Sequence, residues 1–404
     1  MEIKITFVGD VLFDGEMVKY IEQYRKGNGI LDFHSIFAPM QMLFSQSDFV
    51  LANLETPISD CEDDYTKKRW EFCTAYEFAE ALKESGVDYV STANNHCLDR
   101  GIVGLEKTIK CLDQIGLLHS GIGCVGENRE PVIAEIAGVR IALLSYTYGT
   151  NAMTNRQYLG YRKNRKLVNL FQEQEGAIER ISPLMWYIRR HPGGFAERVR
   201  NGLLRRIYPE NIGKDWYEKT TPGMYRRWLL STELRRVKRM GADMTAVYLH
   251  VGGQYNCEPN VLTKRMIQWL MKKGCSIVIG NHEHVVHGCI HNTSSNQLAT
   301  YAIGNFLGSA GTLHEPYDRY AEYSIAVHTY IDSIKKKINK VTFSVLVSCK
   351  NDNGTYEVWP VKEWISTLPE NIARKKIEDC LTVAKLFSNQ VYDRLLDEYL
   401  LCMM

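Results

Sequence analysis

Several short apolar segments of this chain stop abruptly in polar residues of the kind that bind metal, and that pattern restricts the fold more than any other feature. They end in Gly9-Asp10, Asn53-Leu54-Glu55-Thr56-Pro57, Asn94-Asn95-His96, Leu249-His250, His282-Glu283-His284 and Gly304-Asn305. Between them the apolar period changes. Strand-like runs over 3–8, 48–54, 87–92, 140–146, 245–250 and 276–279 alternate with helical spacing over 76–85, 105–115 and 229–240. Alternating strands and helices predict a layered α/β fold, in which polar side chains collect where strands end. A strand predicted over 297–303, paired strands over 324–330 and 341–348, a turn at 351–354 and a strand over 355–361 follow. The stretch from 369 to 401 has helical spacing.

Apolar residues make up 45% and charged residues 24% of the 404 positions, which excludes disorder and a fibrous repeat. The net charge of +2 gives no reason to expect nucleic acid or a membrane surface as partner. That figure hides an asymmetry. Residues 151–240 hold 20 Lys and Arg against 8 Asp and Glu, a charge of +12 that leaves −10 for the remainder. Arg pairs recur in this segment (189–190, 205–206, 226–227, 235–236), with breaks expected at 191–194 and 221–223. It reads as a basic helical insertion, with 1–150 and 241–365 forming the core and 366–404 a helical tail packed on that core. A solvated basic face is the ordinary explanation, and an acidic polymer docked there is the sharper one. The 11 cysteines are scattered without a CxxC pair, as expected of free thiols in a reducing compartment. With no apolar run near the ~18 residues that span a bilayer, the expectation is a cytoplasmic protein without an integral membrane segment, or an envelope protein had an anchor been removed.

Each polar residue has an ordinary use. Asp10 can cap a helix, Glu55 can close a turn, Asn95 and His96 can form an Asx turn, and His250 can be a core histidine. Their joint placement at strand ends favours a metal site instead. Carboxylate, amide and imidazole together suit one or two divalent ions of Mn, Fe or Zn rather than calcium, which wants oxygen alone. His119, His287, His291, His314 and His328 are expected at the surface.

Seven segments, in order, resemble the capsule-synthesis CapA (poly-γ-glutamate) family of the calcineurin-like metallophosphoesterase superfamily. They are GDVLFDG (9–15), NLETP (53–57), ANNHCLDRG (93–101), SYTYGTN (145–151), LHVGGQY (249–255), GNHEHVV (280–286) and YAIGNF (301–306). The resemblance implies a four-layer α/ββ/α sandwich with a metal centre at the sheet edge. It implies one metal on Asp10, Glu55 and His284 and another on Glu55, Asn95, His250 and His282, with unequal affinities. His96 would protonate a leaving oxygen and Asp99 would orient it, while Asn94, Gln254 and Asn305 are candidates for substrate contact or for holding loops. Leu12 stands where the superfamily's first motif has His. Val251, Gln254 and Glu283 depart from the capsule family's usual Trp, Glu and Pro.

The activity implied is phosphoester hydrolysis of a small or polymeric anionic substrate by a metal-activated hydroxide. Two other readings stay open: a non-catalytic, metal-stabilised scaffold in polymer synthesis or export, and a metal-dependent amide or γ-glutamyl hydrolase.

Overall fold

The first strand, β1 (Glu2–Val11), alternates its side chains between two apolar layers. Ile3, Ile5 and Phe7 enter one, while Val8 and Val11 enter the other. The computed structural model describes residues 1–14, 17, 32–59, 71–127, 130–159, 163–172, 174, 187–188, 191, 193–207, 221–309, 320–351 and 354–404. Among these, β1 is joined in parallel by β2 (Phe49–Leu54), and β3 (Tyr89–Ser91) and β4 (Leu118–Ser120) extend the parallel run. A second sheet begins with β5 (Val132–Ile136) and β6 (Val139–Thr147) and continues through β7 (Met244–His250) and β8 (Ile277–Asn281). It is completed by β9 (Cys289–Asn292) and β10 (Gln297–Thr300) in the order β5-β6-β7-β8-β10-β9.

The chain then crosses back. Where the sequence pattern predicts one strand over 297–303, β10 stops at Thr300 and β11 (Asn305–Leu307) pairs with β1 in the first sheet, setting Asn305 beside Asp10. Gly9 permits this approach, because a Cβ there would lie 1.8 Å from the Gly304 carbonyl oxygen. Antiparallel strands β12 (Tyr323–Asp332), β13 (Lys337–Lys350) and β14 (Tyr356–Pro360) complete the other side of the first sheet.

Period-two alternation makes the layers. In β7, Met244, Ala246 and Tyr248 fill the space between the sheets, and Val247 and Leu249 face the helices outside. Helix α1 (Tyr76–Glu84) supplies Phe78 and Leu82, and α2 (Gly101–Ile115) supplies Leu112, to the outer face of the first sheet. Within the basic segment lie α3 (Phe195–Ile207) and α4 (Thr221–Arg239). Leu230, Leu234 and Val237 of α4 cover the second sheet, together with Met266, Ile267 and Leu270 of α5 (Val261–Lys272). The result is a four-layer α/ββ/α sandwich.

Thr221-Pro222-Gly223, where a break between helices is expected, opens α4, since proline lacks only an N–H that the first helical turn does not use. Earlier in the segment, Leu159, Leu167, Val168 and Leu170 pack with Leu98, Leu105 and Ile109. The predicted C-terminal helix, α6 (Glu370–Ser388), ends where Asn389 turns left-handed, rather than running on to Leu401. Beyond it, β15 (Tyr399–Met403) pairs with β13 and buries Tyr399 and Leu401. The ten described cysteines are free thiols. No helix among the described residues is long and apolar enough to cross a membrane. Cys61, Arg189-Arg190, Pro192, His314 and the turn residues Asp352 and Asn353 lie outside the described residues.

Three histidines expected at the surface are buried. His119 bonds Asp113, His287 bonds the Asn256 carbonyl, and His328 lies between Thr6 and Ser344 at 2.8 and 3.1 Å. His291 is exposed. Burial holds His328 down at about 3, so the unfolded chain takes up this proton first as pH falls below 6.5. Burial alone would raise Glu398, but hydrogen bonds from Lys4, Thr342 and Tyr330 hold it at about 2. Both groups therefore remove stability on acidification, His328 between pH 6.5 and 3 and Glu398 below 4.5. Urea denaturation at pH 7 and pH 5 should show His328→Gln losing less stability on acidification than the parent, by up to about 1.4 kcal/mol per pH unit. Equal losses would contradict this assignment.

Candidate metal centre

Strand parity carries Asn53, His250 and Asn281 to the face between the sheets, because they continue the Phe49/Leu51, Met244/Ala246/Tyr248 and Ile277/Ile279 series. Glu55 follows β2 and Asp10 lies near the end of β1, so the two sheets deliver their polar ends to one place. Two groups form there. Glu55, His250 and His282 present donor atoms within 4.8 Å of one another, as do Asp10, Glu55 and His284, so that Glu55 belongs to both. All are buried. Asn95 lies beside the first group, with Oδ1 2.7 Å from His250 Nε2.

Local backbone makes the His282/His284 pair converge. Both residues adopt positive φ, 96° and 60°, a conformation that costs side-chain-bearing residues energy and persists only when surroundings enforce it. The His282 N–H donates to Asp10 Oδ2 at 3.1 Å, and the His284 ring bonds Asn305 Oδ1 at 2.9 Å. Asn53 donates to Asp10 Oδ1 at 2.6 Å.

The electrostatics would suit a bound cation. Burial, reinforced by the Glu55 charge, pushes Asp10 well above the usual carboxylate range, and burial also raises Glu55. Burial and neighbouring imidazoles push His250 and His282 well down, leaving them neutral and able to donate lone pairs. Both Glu55 carboxylate oxygens, His282 Nδ1 and Asn95 Nδ2 are buried without hydrogen-bond partners. Each such group costs about 1–3 kcal/mol left unmet, and all but the Asn95 amide nitrogen are lone-pair donors that a divalent cation would satisfy. The residues fit a metal.

His96 lies next to this group, with Nδ1 2.6 Å from Asp99 Oδ2. Asp99 also accepts the Phe72 N–H at 2.8 Å, and the Phe72 ring lies 4.4 Å from the imidazole. Burial opposes charging His96, yet Asp99, with Glu55 and Asp10 behind it, outweighs that and raises its pKa.

The other predicted residues divide. Asn94 is engaged structurally, donating to the Leu54 carbonyl at 2.7 Å and accepting the His96 N–H at 3.1 Å. Asn305 is engaged by His284, and Gln254 is exposed. Sequence reasoning missed Asn53 and Asn281, whose parity with the apolar residues of β2 and β8 was the available signal. It also missed Tyr148 and Tyr255, whose rings lie 4.8 Å from His282 and 5.4 Å from His284. Glu283, between the two histidines, is pushed up to about 7 by burial, against hydrogen bonds from Gly253 and Asn256.

The family model for bacterial capsule synthesis protein PGA_cap matches residues 4–310. The chain belongs to this family. It is 22% identical over 366 residues to capsule biosynthesis protein CapA of Bacillus anthracis, covering 88% of this chain and 72% of that one. PGA biosynthesis protein CapA of Bacillus subtilis is 21% identical over 315 residues, 76% of this chain and 64% of its own length. Among solved structures, a novel phosphatase from Mycoplasma pneumoniae aligns over 86% of this chain and 94% of its own, at 13% identity and a TM-score of 0.45. A hypothetical protein from Thermus thermophilus aligns over 88% and 99%, at 14% identity and a TM-score of 0.36.

Manganese at a hundred times its dissociation constant should stabilise the protein by about 2.7 kcal/mol. In Glu55→Gln that gain should be lost, while the metal-free variant melts at or above the parent, since a desolvated carboxylate has been removed. Differential scanning fluorimetry reads both. A metal-free variant much less stable than the parent would show that Glu55 serves the fold.

Proposed function

We propose that the protein is a metal-dependent phosphoesterase-type hydrolase acting on a small or polymeric anionic substrate in capsule-polymer synthesis, poly-γ-glutamate being the polymer its family relatives indicate. The observation that carries this reading is the pair of buried donor groups sharing Glu55, with the His96–Asp99 pair beside them. Asp10, Glu55, Asn95, His250, His282 and His284 would hold one or two ions of Mn, Fe or Zn. A divalent cation so held supplies Lewis acidity toward a phosphoryl oxygen and acidifies water.

The chain's own residues do the rest. His96, its Nδ1 engaged by Asp99, has Nε2 left to donate a proton to the leaving oxygen. Asp99 fixes the ring and favours its charged form. Asn94 holds the loop that carries His96, and Asn305 fixes the tautomer of His284 by accepting from Nδ1, which turns Nε2 toward Glu55. Gln254 is left at the exposed rim as a substrate contact.

The test is a screen of the Mn²⁺-loaded protein against aryl phosphomonoesters, phosphodiesters and poly-γ-glutamate. His96→Ala should lower turnover by about 10²–10⁴-fold while retaining its metal. Metal-loaded protein that turns over none of them would favour the scaffold reading.

The basic insertion supports polymer docking. Arg235, Lys238 and Arg239 lie on one face of α4, exposed, with no carboxylate within ion-pair distance among the described residues. Replacing all three by Gln should weaken binding of a labelled poly-glutamate and flatten its salt dependence, leaving small-substrate turnover intact. Salt-insensitive binding would contradict an electrostatic dock.

A further inference from the structure

Glu283 stands between two metal-type histidines and takes no part in either donor group. Its carboxylate is fully buried and committed elsewhere: the Gly253 N–H donates to Oε1 and Asn256 Nδ2 to Oε2, each at 3.1 Å. Its backbone carbonyl accepts the Tyr255 N–H at 2.8 Å. Two glycines make room for this. A Cβ on Gly252 would lie 2.2 Å from Glu283 Oε1, and one on Gly253 would lie 2.0 Å from Asn256 Nδ2. His287 braces the same loop from beneath, with Nε2 2.8 Å from the Asn256 carbonyl oxygen.

The loop so held is under strain and faces the site. Tyr255 sits at φ 57°, a conformation unfavourable for an aromatic residue, and its ring lies against His284. Gln254 next to it is exposed at the rim. The four contacts from Glu283 and His287 hold the loop against the relaxation that this strain favours.

We propose that Glu283 is a positioning residue that latches the 252–256 loop through Gly253 and Asn256, and thereby sets the Tyr255 ring as the wall of the site beside His284. The wall determines which organic group an anionic ligand can carry there. This consequence rests on the metal-centre reading, whereas the latch itself does not.

The experiment places 3-fluorotyrosine at position 255 and reads its ¹⁹F resonance in metal-free protein. Glu283→Ala, Asn256→Ala and Gly252→Ala should each shift or broaden the signal, and the double variant Glu283→Ala/Asn256→Ala should shift it no further than Glu283→Ala alone. Glu283→Gln should restore it, because a glutamine can accept from Gly253 and donate to a flipped Asn256 carboxamide. In Mn²⁺-loaded protein the same three variants should weaken phenylphosphonate binding by about tenfold, the worth of one hydrogen bond to a charged group, with inorganic phosphate binding little changed. Asn256→Ala does not touch the ligand turn, so it answers even if Glu283→Ala fails to fold. An unmoved resonance in Asn256→Ala and Gly252→Ala would overturn the latch. Protein that takes up no Mn²⁺ but still shows the ¹⁹F shifts would overturn the metal reading and leave the latch standing.

Discussion

Glu55 buries both carboxylate oxygens without a hydrogen-bond partner, a few ångströms from a second buried carboxylate, Asp10. Desolvated like charges side by side oppose folding unless positive charge is brought to them. Three imidazoles surround the pair, and burial holds His250 and His282 neutral, so those two cannot supply that charge. The surrounding backbone concedes further energy to keep the arrangement, with His282, His284 and Tyr255 all at positive φ. A cation held between the two carboxylates would offset that desolvation cost.

The two-sheet architecture makes the site possible. Asp10 and Glu55 come from the first sheet, His250 and His282 from the second, and the Tyr248 hydroxyl ties them below the site by bonding the Val8 and Leu51 carbonyls. Return of the chain to the first sheet at β11 sets Asn305 between Asp10 and His284. Assembly of the donors therefore depends on packing between the sheets, and mutations in that apolar layer should disturb metal affinity at a distance.

Much of this was legible in the sequence, because alternation and abrupt polar ends encode strand termini directly. β1, β2, β6, β7 and β8 lie within a few residues of where the pattern puts them. The histidines were harder. His119, His287 and His328 carry no local sign of burial, since each is satisfied by a partner distant in sequence or poorly marked in it: Asp113, Asn256 and the Thr6/Ser344 pair. The end of α6 was hidden because helical spacing persists past Asn389, and only the pairing of Tyr399–Met403 with β13 reveals a strand. Glu283 looked like a departure beside the site. Its use depends on a loop about thirty residues away, which no local pattern announces.

On the metal-centre reading, the Glu55 carboxylate would be the shared seat of a divalent cation. Crystals soaked in manganese and measured at the manganese absorption edge test it most directly. An anomalous peak is expected within coordination distance of the Glu55 carboxylate and the His250 and His282 rings. An empty anomalous map at Glu55, with ordered side chains around it and manganese found only at surface carboxylates, would contradict it.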